Sequence, residues 1–269
     1  MEYTSTKRIF TYTITNKSDY VFEPRDYEII QSAFNRWDEI ITINSRFGEP
    51  YTIRVSFTVE TLEPGTLGEA GIQSVHYIDS KTFGNTMPAT AEMTMNASQL
   101  YRMKNTVRDD GKTSYYYVLL HEIGHILGIG TFWYLPGAPK VRYTDNDTTK
   151  YYYTGASALR EYKSYFLANG SESFVGIPIE DDGGAGTAKV HPEEGVEGTI
   201  SANNRYINGI LHPGLNTELM TGWLDSSSAR VSLSRVTLGF LEDLGYIVNY
   251  NIADVYIYWL GLQHLTLMI

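Results

Sequence analysis

Residues 113–128 read TSYYYVLLHEIGHILG, and the fold turns on this stretch. Val118, Leu119, Leu120, Ile123, Ile126 and Leu127 make it apolar on nearly every side, the pattern of a helix enclosed in a core. Thr113 or Ser114 suits its N-terminal cap and Gly128 its stop. Within this apolar run stand His121, Glu122 and His125. Residues four apart share a helix face, so both imidazoles aim at one spot. Polar groups in a buried helix cost several kcal/mol unless something satisfies them. A metal ion satisfies these three, whereas a random core gives no reason for all of them in one turn. Zinc takes imidazole nitrogen and lowers the pKa of a bound water to about 7. Glu122, one residue past His121, is then placed to take that water's proton without ligating the metal.

A catalytic zinc needs a third protein ligand and one open position. The chain has no cysteine, so that ligand is a nitrogen or an oxygen. His76 lies in a strand-like segment before the helix and His264 in the apolar tail, and both read as structural. The contest is between His191 and His212, with a carboxylate such as a Glu as the remaining option.

The 269 residues are enough for one large domain or two lobes around a cleft. With 42% hydrophobic and 19% charged residues, the balance is globular and excludes a disordered chain. A net charge of −10 repels phosphate backbones, so nucleic acid is not an expected partner. The N-terminal MEYTSTKRIFTYTI shows no apolar h-region, hence no signal peptide is read. Location stays open, an extracellular or virion-associated setting included. The C-terminal NIADVYIYWLGLQHLTLMI (251–269) is broken by Asp254, Gln263 and His264, so no membrane span is expected. It reads as a buried last strand or as an assembly contact.

Around the central helix, residues 8–15 and 51–61 alternate as strands. Residues 26–41 form an amphipathic helix, with Ile29, Ile30, Phe34, Trp37, Ile40 and Ile41 on one side and Pro24 and Asp26 at its start. The Gly-containing stretch 66–74 reads as a loop, 75–78 and 91–95 as short strands, 97–104 as a short helix and 108–112 as a polar turn. Residues 128–216 read as loosely structured apart from a helix at 156–167. A last helix is expected at 233–244, capped by Ser232 and ended by Gly245. Helices and strands do not alternate as βαβ units, so the class is α+β. Asp145-Asn146-Asp147 lacks the Gly and distant Glu of a calcium loop and reads as a polar turn.

Five segments, in order, resemble the leishmanolysin family of metzincins, bacterial and phage-type members especially, over about residues 8 to 258. They are MPATAEMTMNASQL (87–100), HEIGHILGIGT (121–131), IPIEDDGGAGTAKVH (177–191), TELMTGWLD (217–225) and LSRVTLGFLEDLGYIVN (233–249). In other metzincins a third His stands three residues after the helix-ending Gly; here that position is Thr131. The resemblance instead implies His191 as third ligand and Met220 as the Met-turn methionine packed beneath the imidazoles. Gly222 stands where some metzincins carry a tyrosine. The stretch GVEGTISANNRYINGILHPG (195–214) between His191 and the Met-turn is long for the family and reads as an inserted loop, which keeps His212 in contention. Glu193 or Glu194 could accept a hydrogen bond from a ligand imidazole, the alternative being solvated loop charges. Latency through a pro-segment cysteine has no counterpart in this chain.

The resemblance implies a zincin-like, two-lobed catalytic domain at 1–258, with a twisted mixed sheet, an active-site helix and a Met-turn. Its N-lobe is expected at about 1–130 and its C-lobe at about 131–258, followed by an apolar tail at 259–269. The expected activity is Zn2+-dependent cleavage of protein or peptide substrates, with His121, His125 and His191 on the metal and Glu122 as base. The alternative is a structural or adhesive component of a virion or surface assembly that retains the zinc without proteolysis.

Overall fold

The computed structural model describes residues 2–4, 9–42, 52–145, 147–167, 170–181, 183–184, 186–194, 205–224 and 231–256. The elements run β1 (Glu2–Thr4), β2 (Phe10–Asn16), α1 (Pro24–Ile40), β3 (Ile41–Thr42), β4 (Ile53–Glu60), β5 (Gly68–Tyr77), β6 (Thr86–Asn96), α2 (Ala97–Asn105) and α3 (Ser114–Ile126). After these come β7 (Lys140–Asp145), β8 (Thr148–Tyr153), α4 (Ala156–Tyr165), β9 (Ile177–Pro178), β10 (Arg205–Ile207), β11 (Ile210–His212), α5 (Arg235–Asp243) and β12 (Ile247–Val248). The class is α+β. Among the described residues, no helix is long and apolar enough to cross a membrane.

The main sheet has the order β1-β2-β4-β6-β5 and is mixed: β2, β4 and β6 are parallel, while β1 and β5 run antiparallel at its edges. Side chains alternate across a strand, and the register aligns the apolar ones. Phe10 and Tyr12 pair with Ile53 and Val55; Val55, Phe57 and Val59 pair with Ala91, Met93 and Met95. All of these are buried, whereas Thr13, Arg54 and Ser56 on the opposite face are exposed.

Helix α1 contributes Ile30, Ala33, Phe34, Trp37 and Ile40 to the same core. It starts with Pro24, whose missing N–H costs nothing at a first helical position. Buried Asp26 accepts from the Glu23 N–H (2.8 Å) and the Tyr20 hydroxyl (2.8 Å) and pairs with Lys104 of α2 at 2.8 Å, which ties the two helices together. Thr113 caps α3 by accepting from the Tyr116 N–H. Every residue of α3 except His121 is buried. The Trp37 indole donates to the Leu120 carbonyl at 3.0 Å, fixing α1 against the turn of α3 that bears the histidines.

In the C-terminal part, α4 and α5 pack closely. A Cβ on Gly239 would lie 2.5 Å from the Ala158 Cα, so only glycine allows this approach. Asp243 at the end of α5 accepts from the Ser157 and Ala158 N–H groups (2.8 and 3.1 Å) and so caps α4, whose own N-cap is Gly155.

Three expectations change. The stretch expected as a loop at 66–74 is strand from Gly68 on: it opens edge strand β5, which continues through 75–77 with a bulge between Ile72 and Val75. Its glycines and the bulge erase the period-two signal. Residues 128–216 hold two small sheets, β7-β8-β9 and β10-β11. The last helix is capped by Ser234, not Ser232, and starts at Arg235. The tail at 259–269 and residues 195–204 of the expected inserted loop lie outside the described residues.

Trp37→Ala removes a fully buried indole and its bond to α3. We expect a loss of about 3–5 kcal/mol, the range for such truncations, measured by denaturant unfolding of the full chain.

Candidate metal centre and catalytic carboxylate

Helix α3 presents His121 and His125 one turn apart, and the chain brings His191 to them. The three Nε2 atoms stand 3.0 Å (121–125), 2.9 Å (125–191) and 3.2 Å (121–191) from one another. Each ring places its Nδ1 against a backbone carbonyl: Leu219 for His121 (2.7 Å), Ile129 for His125 (2.9 Å) and Thr187 for His191 (2.7 Å). A carbonyl only accepts, so each Nδ1 carries the proton and each Nε2 keeps a lone pair. The Nε2 pairs therefore cannot hydrogen-bond one another. Three lone pairs at this spacing repel unless a cation lies among them.

The donor set fits zinc. Nitrogens held tetrahedrally about 2.0–2.1 Å from one zinc lie about 3.4 Å apart, so this triangle needs to open by only a few tenths of an ångström. Burial lowers the pKa of all three rings, that of His191 to about 3, with neighbouring imidazoles adding to the effect at His125 and His191. The rings are thus neutral, the form a metal requires.

Two close approaches build the triangle. Gly130, at φ 73°, lies so near the Val190 carbonyl that a Cβ would come within 2.0 Å of its oxygen, and this contact seats the His191 segment on the end of α3. A Cβ on Gly124 would lie 2.4 Å from the Met220 Sδ, so the methionine packs beneath α3 between the two helical histidines. Thr131, at the position of the third His elsewhere, donates its hydroxyl to the His125 carbonyl at 2.7 Å and ends the helix instead of ligating.

Glu122 is 5% exposed, and its Oε1 approaches edge strand β5, where a Cβ on Gly68 would lie 3.3 Å away. Burial first, and the charge of Glu69 second, push its carboxyl up to about 8. A cation at the neighbouring triangle pulls that value down.

His212 is not part of the triangle. Its Nε2 accepts from the Val175 N–H at 3.0 Å, its Nδ1 faces the Ile210 carbonyl at 2.8 Å, and its ring packs on Phe174. Glu193 and Glu194 are neither imidazole partners nor solvated charges. Both are buried, and Glu193 pairs with Arg205 at 2.7 Å while the His191 Nδ1 uses the Thr187 carbonyl. Asp145 pairs with Lys150 at 3.1 Å, and Asp147 has φ 60°, as a polar turn requires. The sequence reading missed the acidic cluster Glu180, Asp181 and Glu193 around Arg205. Its members are distant in the chain from their cation. It missed the three carbonyl partners as well, because backbone atoms leave no mark in a sequence.

The α+β chain thus packs its HExxH helix against a mixed sheet. A family model described as matrixin matches residues 3–131, which hold the main sheet, α1, α2 and α3. The match supports a metzincin family, with the zincin-like fold, zinc use and metallopeptidase activity that go with it. It stops before His191 and Met220 and does not single out the leishmanolysin-like branch. No curated protein matches the chain.

His191→Ala is expected to weaken zinc by more than the roughly 10–100-fold that loss of outer-shell support costs, as read by competition with a chromogenic chelator. His212→Ala should leave zinc affinity unchanged and cost about 1–3 kcal/mol of stability, because it strands the Val175 N–H.

Proposed function

We propose that the protein is a zinc-dependent endopeptidase with His121, His125 and His191 as ligands and Glu122 as general base. The observation that carries the reading is the convergence of three buried, unprotonated Nε2 atoms from two distant chain segments. Zinc, when bound there, supplies Lewis acidity and makes a water acidic enough to react at neutral pH. Glu122 takes the proton from that water and delivers it to the nitrogen of the departing amine. The remote third histidine and Thr131 favour a leishmanolysin-like arrangement over the compact matrixin motif. Met220 against Gly124 supports the Met-turn reading.

Strand β5 is the edge of the main sheet and runs beside Glu122. An extended substrate adding there as a further strand brings its backbone to the carboxylate. A purely structural zinc role needs no acid of this kind, and nothing else about the site favours it.

Cleavage of a quenched-peptide library by the zinc-loaded protein tests the reading. Glu122→Ala should lower turnover by about 10²–10⁴-fold, the usual contribution of a general base, with zinc content unchanged, and a chelator should abolish it. Stoichiometric zinc with no cleavage by the wild type would leave the structural role in its place.

A further inference from the structure

We propose that Glu218 is a positioning residue for the metal site: through the Leu219 carbonyl it fixes the His121 ring and so keeps the three-nitrogen triangle closed. The inference rests on the zinc reading above.

Glu218 is 2% exposed and lies two residues before Met220. Its carboxylate is saturated with donors. Oε1 accepts from the Leu219 N–H (3.2 Å), the Ser234 N–H (3.3 Å) and the Thr237 hydroxyl, and Oε2 accepts from the Ser234 hydroxyl. Ser234 is the N-cap of α5 and accepts in turn from the Val236 N–H. Burial pushes the Glu218 carboxyl up to about 7, and the hydrogen bonds from Ser234, Thr237 and Leu219 work against that rise.

The backbone of Glu218 is equally constrained. Its N–H donates to the Leu215 carbonyl (3.0 Å), and its own carbonyl accepts from the Thr221 hydroxyl (3.0 Å). The Leu219 N–H also donates to the Ser232 carbonyl at 2.8 Å. Leu219 is therefore held on its N–H side by the start of α5, and its carbonyl is the group that accepts from the His121 Nδ1 at 2.7 Å.

His125 and His191 take partners four residues away in their own segments, Ile129 and Thr187. For His121 the partner comes from 98 residues away. Of the three rings it alone depends on a tertiary contact for its tautomer and tilt, and Glu218 anchors that contact. Stability by itself does not call for a carboxylate here, because a buried charge is often no better than a well-packed apolar residue. The carboxylate instead fixes the peptide group that enters Leu219, and the next one carries the carbonyl that faces His121.

Two readouts that do not involve hydrolysis test this on the full chain: zinc affinity by chelator competition, and the visible absorption of the Co2+-substituted protein. Glu218→Ala should weaken zinc about 10–100-fold, as loss of outer-shell support does, and shift the Co2+ bands. Glu218→Gln retains an oxygen for the Leu219, Ser234 and Thr237 donors and should restore near wild-type values. If near-UV circular dichroism shows that Glu218→Ala does not fold, Thr237→Val takes its place, with a smaller weakening in the same direction. A folded variant that melts lower yet binds zinc with wild-type affinity and an unchanged Co2+ spectrum would overturn the inference and make Glu218 a brace of the fold only. A wild type that binds no zinc overturns the metal-site reading itself, and this inference with it.

Discussion

Three N–H···O=C bonds, one at the back of each imidazole, are the constraint on which the rest of the site depends. Each puts a proton on Nδ1 and turns a lone pair inward. Without them a buried histidine is free to take the other tautomer, and two of the Nε2 atoms could simply hydrogen-bond. With them, the three nitrogens have no mutual satisfaction. Burial works in the same direction, since it keeps the rings neutral. The three lone pairs thus stand preorganised in the way that a cation site would need.

The fold serves that constraint with very short contacts. The main sheet and α1 hold α3 rigidly, with the Trp37 indole bonded to the turn just before His121. The His191 segment is locked by a small ladder: the Glu180 N–H to the His191 carbonyl, the Lys189 N–H to the Glu180 carbonyl and the Glu193 N–H to the Pro178 carbonyl, at 2.8–3.0 Å. Gly130 lets this ladder approach α3, and Gly124 lets Met220 approach it from another side. A single added methyl group at either position meets backbone or sulfur within 2.4 Å or less, so neither approach tolerates a side chain.

What could be read beforehand follows from the range of the forces involved. Helix α3 and its HExxH were legible because helical periodicity and polar residues inside an apolar run are local signals. So was α1, with Trp37 on the right face. Thr131 already required the third ligand to be remote, but spacing alone could not separate His191 from His212. The decision lies in tertiary contacts: His212 spends both nitrogens on the backbone of its own surroundings, and His191 spends only one. Strand β5 was legible only at its end, from residue 75 on, because Gly68, Gly71 and a bulge leave the start of this edge strand without alternation. The Ser234 cap was misplaced by two residues, because Ser232 and Ser234 look alike until one of them meets Glu218.

The matrixin match ends at residue 131, and the site does not. The matched part supplies the sheet, the helix, two imidazoles and the carboxylate; everything that completes the triangle lies beyond it. This division has a physical logic. Two imidazoles on one rigid helix are fixed by helical geometry and need little help, so a compact unit can carry them. A third imidazole more than sixty residues on must be held against the entropy of a long connection. The chain meets that cost with buried groups that would otherwise be hard to explain: Glu193 on Arg205, Glu218 on the start of α5, and Met220 against a glycine. Buried carboxylates stand on both sides of residue 131, Asp26, Asp38 and Glu122 before it and Glu161, Glu180, Glu193, Glu194 and Glu218 after it, and it is Glu193 and Glu218 that brace the segments carrying His191 and Leu219.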